Sequence, residues 1–476
     1  MIPYPREIQS LGGKMSLPKR FEVICPDEMS CLAAYIQRFN EAYQRLVDAF
    51  PAPVSGDVLK IKLNLMPRIA ASHKDMHMIM IDEGAVTLSA KSENGFRYGL
   101  TTLKQLCKIA VNIGRDHLET VRIIDYPAYD YRGLHLDVSR HFFGVEVVKS
   151  YLDYMDEFKL NHLHWHLSDD QGWRIESAKF PLLHEVGAYR YEADGERYGG
   201  YYSHDEIRQV LHYAEGLGIE VIPEIDLPGH TVAMLAAYPS LACFPREFEV
   251  ETHWGVFDDI LCVGKPQTMD FLRELLDELC ELFPGRYFHI GGDEAPKTRW
   301  QDCPNCRAML KEHALPDFEA LQGWFTNEIV KILRAKGKEV LAWDEVLDSP
   351  VDSSIIAMAW RGDAKDSAKL ALKNGNRYVL SPNSITYLDW SAGEGEPGRK
   401  EISTLENVYS IDPQSYEGAH LCLGMQANLW TEYIPDETRL FRMLHPRAMA
   451  LAERAWNPRS DYEGFLSRLK ALGELR

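Results

Sequence analysis

The sequence predicts an α/β protein: a (β/α)8 TIM barrel carrying a smaller N-terminal α+β domain. Three observations carry this expectation. From about Tyr131 onward, eight short apolar, strand-like runs recur with helical patterns between them. Acids and tryptophans stand at the ends of these runs, where a barrel places its site. The residues before them alternate strand-like and helical stretches without such a cluster. The chain's 476 residues accommodate both units, since a barrel uses roughly 250 residues or more. The expected boundary is "DYPAYDYRG", giving domains at residues 1–127 and 128–476.

In the first unit "RFEVICP" reads as a strand and Glu28 to Phe50 as a helix. "LKIKLNL", "MHMIMID" and "AVTLSA" follow with period-two character. "SENGFRYGLTTLKQLCKIA" is helical, with Phe96, Leu100, Leu103 and Cys107 on one face and Ser92 or Glu93 near its start. The expected role of this unit is packing.

The eight barrel runs are "YRGLHLDV", "NHLHWHL", "IEVIPEI", "RYFHIGG", "EVLAWDE", "SIIAMAW", "RYVLSP" and "HLCLGMQANLW". Helical patterns lie near Val145–Leu160, His204–Leu217, Pro266–Phe283, Phe318–Lys336, Ala364–Asn374 and Thr438–Trp456. About ten residues separate the fifth and sixth runs, too few for a full crossover helix, so that helix should be missing or reduced.

Composition excludes some classes. The net charge of −19 argues against nucleic-acid binding, which requires basic patches. No apolar run approaches the roughly 18 residues of a membrane helix, so no membrane partner is expected. The start "MIPYPREIQSLGGKMSLPKR" lacks a signal-peptide core, and the nine cysteines are scattered and odd in number. A cytoplasmic location is the expectation. Cys303 and Cys306 form one CxxC, but a structural zinc site needs a second ligand pair, and none with suitable spacing is evident. An ordinary loop is expected there.

The chemistry collects at the strand ends. Arg132 and Asp137 belong to the first run, and Asp169, Asp170 and Trp173 follow the second. Glu224, Asp226 and His230 belong to the third, Asp293 and Glu294 to the fourth, and Trp343, Asp344 and Glu345 to the fifth. Trp360 and Arg361 end the sixth, Tyr387 and Asp389 lie beyond the seventh, and Trp430 and Glu432 end the eighth. Indole and phenol faces stack on the apolar faces of sugars, and Asp, Glu and Arg bind hydroxyls in charge-assisted pairs. Carboxylates supply the acid–base chemistry of glycoside hydrolysis. His162, His164 and His166 alternate and face one way; hydrogen-bonded structural histidines are expected. A metal-dependent barrel using Asp137, Glu224, Asp226 and Asp293 remains a rival.

"YRGLHLDVSRHF", "HWHLSDDQGWR", "IPEIDLPGH", "HIGGDEAPK" and "ANLWTEY" together resemble glycoside hydrolase family 20, the β-N-acetylhexosaminidases. "GFRYGLTTLKQL" is similar to that family's small N-terminal domain. The resemblance implies retaining hydrolysis of terminal β-linked N-acetylglucosamine or N-acetylgalactosamine from oligosaccharides or glycoconjugates. It implies no cofactor and no enzyme nucleophile, because the substrate's 2-acetamido oxygen attacks C1 and forms an oxazolinium. By resemblance, Glu294 is the general acid and then the base, with a raised pKa, and Asp293 holds the acetamido N–H and stays charged. The resemblance further implies that Arg132 grips sugar hydroxyls and that Asp389 and Glu432 accept from O4 and O6. Trp343, Trp360 and Trp430 wall the acetamide, and Tyr387 orients its carbonyl. His230 with Asp226 and one of Asp169 or Asp170 forms a polar chain behind Glu294. A lacto-N-biosidase sharing this site and a silent sugar-binding protein are the alternatives. Oligomeric state and linkage are not legible.

Overall fold

In a computed structural model the described residues are 1–50, 55–66 and 73–474. Strands β1 (Glu7–Ser16), β2 (Pro18–Ile24), β3 (Ser55–Leu65), β4 (His77–Ile81), β5 (Val86–Ala90) and β6 (His117–Asp125) form one sheet. Its spatial order is β1-β6-β4-β5-β3-β2, antiparallel as far as β5 and parallel from β5 to β2. Helices α1 (Ala33–Asp48) and α2 (Glu93–Asn112) pack with this sheet. Tyr35, Phe39, Tyr43 and Val47 recur every four residues and supply the buried stripe of α1. A short 3-10 turn over Asp27–Leu32 replaces the beginning of the helix expected from Glu28. Ser92 caps α2, its hydroxyl accepting from the Gly95 N–H at 3.0 Å.

The eight expected runs close into a parallel barrel. They are β7 (Tyr131–Asp137), β8 (His162–His166), β9 (Glu220–Glu224), β10 (Tyr287–His289), β11 (Glu339–Trp343), β12 (Ile356–Ala359), β13 (Tyr378–Leu380) and β14 (Cys422–Ala427). Pairing of β14 with β7 completes the ring. Between them lie α3 (Val145–Glu157), α4 (His204–Leu217), α5 (Pro266–Leu282), α6 (Pro304–Glu312), α7 (Phe318–Ala335) and α8 (Lys365–Asn374). A single 3-10 turn, Asp344–Asp348, stands in the short link between β11 and β12, the reduction that the link length demands. The helix expected over Thr438–Trp456 is two, α9 (Glu437–Leu444) and α10 (Arg447–Trp456). Pro446 lacks an N–H for the helical ladder and divides them.

The underside of the barrel is tied to the N-terminal sheet. Arg132, second residue of β7, is buried there. Its guanidinium donates to the Lys159, Tyr129 and Asp130 carbonyls at 2.9, 2.9 and 3.4 Å and to Tyr98 Oη of α2 at 2.8 Å. Beside it the Lys159 ammonium meets Asp125 at 3.0 Å, and Trp456 donates to the same carboxylate at 2.7 Å. These contacts fix the fold at the end opposite the strand C-termini.

Candidate active site

At the C-terminal rim a cleft of about 80 Å³ is bordered by Arg140, Asp169, Asp226, His230, Asp293, Glu294, Trp360, Tyr387, Arg399, Trp430 and Glu432. The two neighbouring acids reach it by an unusual turn. After β10, Gly291 and Gly292 take φ of +64° and +99°, and Glu294 itself takes +42°. Left-handed backbone is costly for a side-chain-bearing residue and collects at functional sites. A Cβ on Gly291 would lie 1.7 Å from Asp226 Oδ1, so the chain passes against that carboxylate. Asp226 Oδ1 in turn accepts from the Gly292 N–H at 3.1 Å, and Glu345 Oε2 from the Glu294 N–H at 2.7 Å. The turn sends neighbouring side chains apart: Asp293 is buried, whereas the Glu294 side chain is 41% exposed.

A chain of alternating charges runs from the barrel interior to Glu294. Glu224 is fully buried, with Oε2 2.5 Å from His166 Nδ1 and 3.0 Å from His164 Nε2. Its Oε1 lies 3.0 Å from His289 Nδ1 and accepts from Trp343 Nε1 at 2.8 Å. His166 Nε2 reaches Asp169 Oδ2 at 2.8 Å. Asp169 also receives Arg140 at 2.8 Å and His230 Nδ1 at 3.2 Å, and His230 Nε2 is 3.5 Å from Glu294 Oε2. Burial alone would lower the His166 pKa, but Glu224 and Asp169 outweigh it and raise it to about 10. Burial likewise opposes protonated His230, and Asp169 with its hydrogen bond reverses this and holds its pKa well above the ordinary value. Two imidazolium groups thus alternate with three carboxylates.

This field corrects one expectation. The hydrogen bond from His230 lowers the Glu294 pKa, against the opposing effect of burial. Burial and the neighbouring Asp226 push Asp293 well above the carboxylate range. The protein's own charges therefore order the two acids opposite to the order expected from their roles. His230 Nε2 stands between them, 3.9 Å from Asp293 Oδ2 and 3.5 Å from Glu294 Oε2.

The other predicted residues divide. Trp360 and Tyr387 stack with ring centroids 6.1 Å apart at 17°, and Trp430 lies 6.4 Å from Tyr387. Glu432 borders the cleft, and Asp389 lies close enough that, after burial, the Glu432 charge is the main cause of its raised pKa. Trp343 is buried a layer deeper, 5.8 Å from Trp430, and supports the floor rather than bordering the cleft. Asp170 is also set back: its carboxylate accepts from Val232 N–H at 2.9 Å and faces His230 Nδ1 at 3.1 Å. It buttresses His230, as Asp169 does.

Arg132 is not at the site. It sits at the N-terminal end of β7, under the barrel, in the contacts with Tyr98 and the Lys159 and Tyr129 carbonyls. The cleft instead takes Arg140, three residues past the strand's end, lying 5.0 Å over the Trp430 ring. Arg399, also missed, borders the cleft from the segment that follows β13. Of the rival metal set, Asp226 and Asp293 come together with His230, whereas Asp137 and Glu224 are engaged elsewhere. Asp137 accepts from Ser139, Arg140 and Thr431, and Glu224 is surrounded by histidines. His162, His164 and His166 are partnered by Asn161, by Gln426 and by Glu224 with Asp169, respectively.

The catalytic-domain model of glycosyl hydrolase family 20 matches residues 129–459, and that family's domain 2 matches residues 1–126. The chain belongs to glycosyl hydrolase family 20. A beta-hexosaminidase of Porphyromonas gingivalis is 41% identical over 83% of the chain, which spans only 52% of that relative's length. One from Akkermansia muciniphila is 33% identical, over 83% of this chain and 82% of its own. The crystal structure of a family 20 exo-β-N-acetylglucosaminidase from Vibrio harveyi in complex with N-acetylglucosamine superposes with a TM-score of 0.85. It is 30% identical and covers 99% of this chain and 76% of the other.

Proposed function

We propose that the chain is an exo-acting β-N-acetylhexosaminidase that releases terminal β-linked N-acetylglucosamine or N-acetylgalactosamine from glycans with retention, by substrate-assisted catalysis. The observation that carries this is a set of buried polar atoms without protein partners. Asp293 Oδ1, both Asp389 oxygens and Glu432 Oε2 are acceptors of this kind, and Trp360 Nε1 is a donor. Other buried atoms also lack a partner among the described residues, but these five belong to residues at or beside the cleft, and a ligand that brings several donors and an acceptor would satisfy them together. Sugar hydroxyls answer Asp389, Glu432 and Arg140. An acetamide N–H answers Asp293, with its methyl against Trp360 and Trp430 and its carbonyl toward Tyr387.

In this reading Glu294 protonates the glycosidic oxygen while the acetamido oxygen attacks C1; the C1–O bond breaks and an oxazolinium forms. Glu294 then takes a proton from the water that opens this ring. Asp293 stabilises the positive charge on the acetamide nitrogen. That charge supplies the cation which Asp293 needs in order to ionise, and His230 lies between the two acids as a path for the proton to Glu294. Water exclusion beneath Trp360, Tyr387 and Trp430 strengthens each of these charge interactions.

The test is a panel of aryl β-glycosides. The N-acetylglucosaminide should be hydrolysed, the plain glucoside should not, and a thiazoline mimic of the oxazoline should compete. Comparable rates on both glycosides would remove the substrate-assisted reading, and release of an intact disaccharide from a lacto-N-bioside would replace the exo-hexosaminidase reading.

A further inference from the structure

The CxxC of Cys303 and Cys306 is not an isolated loop motif. Two cysteines remote in sequence, Cys243 and Cys262, join it, and the sulfurs of all four lie within 4.8 Å of one another. The separations are 3.8 Å for Cys243–Cys306, 3.6 Å for Cys262–Cys303 and 3.7 Å for Cys262–Cys306. All four side chains are buried and none is in a disulfide. Four ligands about 2.3 Å from a tetrahedral ion stand about 3.8 Å apart, the spacing of a closed zinc–thiolate centre.

From this geometry we propose that Cys243, Cys262, Cys303 and Cys306 bind one structural zinc ion. Binding Zn2+ releases the four thiol protons and leaves a centre of net charge −2. The N-terminus of α6 faces that charge favourably, since Cys303 is its N-cap and Cys306 lies in its first turn. Four protein ligands leave no open position, so the ion is structural rather than catalytic. Soft sulfur in tetrahedral array selects zinc or iron, and zinc needs no redox partner.

The position gives the ion a task. Cys243 and Cys262 lie on the excursion after β9 that carries His230; Cys303 and Cys306 follow β10 and the Asp293–Glu294 turn. The two excursions already meet around the cluster. Trp300 Nε1 donates to the Leu261 carbonyl at 2.9 Å, and Arg299 pairs with Asp259 at 2.8 Å. A Cβ on Gly264 would fall 2.4 Å from the Asn305–Cys306 backbone. Within the first excursion Cys262 N–H donates to the Leu241 carbonyl at 2.8 Å, holding its two cysteines together. A zinc ion would staple the loop of His230 to the loop of the two acids. This inference does not rest on the proposed activity.

The test uses the whole wild-type chain, purified without added metal or chelator. Elemental analysis should find one zinc per chain. X-ray absorption should show four sulfur neighbours at about 2.3 Å. An organomercurial should release the zinc to a colorimetric indicator, with four equivalents consumed at Cys243, Cys262, Cys303 and Cys306 in step with the release. Hydrogen exchange should rise in residues 225–265 and 293–312 on release. Cys303→Ser/Cys306→Ser should lose the zinc, and if that variant does not fold, the wild-type stoichiometry and sulfur shell still decide. Chains without metal and with four free thiols, an intact mass reduced by disulfides, or a visible iron–thiolate band would each overturn the proposal.

Discussion

Replacing Arg132 and Arg140 separately by methionine distinguishes a fold contact from a substrate contact. Both arginines are buried. Among the described residues Arg132 has no carboxylate hydrogen-bond partner; it satisfies three backbone carbonyls and Tyr98 Oη and lies against the Tyr98 and Trp456 rings. Methionine refills the stem but leaves those acceptors unpaired, at about 1–3 kcal/mol each before relaxation. A net loss of about 3–5 kcal/mol is expected, lowering the melting temperature by about 5 °C or more. Arg140→Met behaves differently. Asp137 keeps the Ser139, Arg140 and Thr431 main-chain donors, and Asp169 keeps His166 and His230. Stability should fall less, while one charged hydrogen bond to the sugar, worth about 1.5–3 kcal/mol, is lost, reducing kcat/KM by about 10- to 150-fold. The assay is kcat/KM on an aryl N-acetylglucosaminide well below the melting temperature, beside a thermal melt of each variant. An Arg132→Met protein that melts like wild type but loses activity, with Arg140→Met fully active, would refute this placement.

Other expectations follow from the buried network and the turn. The folded His166 pKa, about 10, lies above its ordinary value of 6.5. Its stabilisation is therefore full below about pH 6.5 and is lost as pH rises toward 10. The stability gap between wild type and His166→Gln, measured by denaturant titration, should narrow over that range; a constant gap would contradict a charged His166. Gly291→Ala should cut kcat by at least about tenfold, because its Cβ meets Asp226 Oδ1 and the left-handed backbone strains it. Wild-type kcat in that variant would show that the turn does not aim the acids.

The barrel was legible because its strands are apolar runs separated by helices, a pattern that packing on both faces enforces. The edge strand Glu7–Ser16 was not, since nearly all of its side chains are exposed and no alternation survives. The His117–Asp125 strand was also missed, although its pattern alternates in part. For the arginines, the strand rule itself held the answer: Arg132 begins β7, and only Arg140 lies beyond its C-terminal end. Trp343 and Asp170 lie behind the cleft, and sequence spacing does not tell a cleft wall from the layer behind it. The charge chain from Glu224 to Glu294 joins residues from three strands and their loops, and the cysteine cluster spans Cys243 to Cys306. Such contacts are set by how the loops fold over the rim, which no local periodicity encodes.

The central claim is the division of labour between two adjacent acids, and one plot tests it. It is kcat/KM against leaving-group pKa for aryl N-acetylglucosaminides with wild type, Glu294→Gln and Asp293→Asn. A general acid contributes about 10²–10⁴-fold, and that share shrinks as the leaving group improves. Glu294→Gln should therefore show the steep dependence, crippled on poor leaving groups and much less impaired on nitrophenyl or better ones. Asp293→Asn should be slowed by a similar factor across the series, because it stabilises the acetamide charge whatever departs. A steeper dependence in Asp293→Asn than in Glu294→Gln would contradict the account and exchange the two roles.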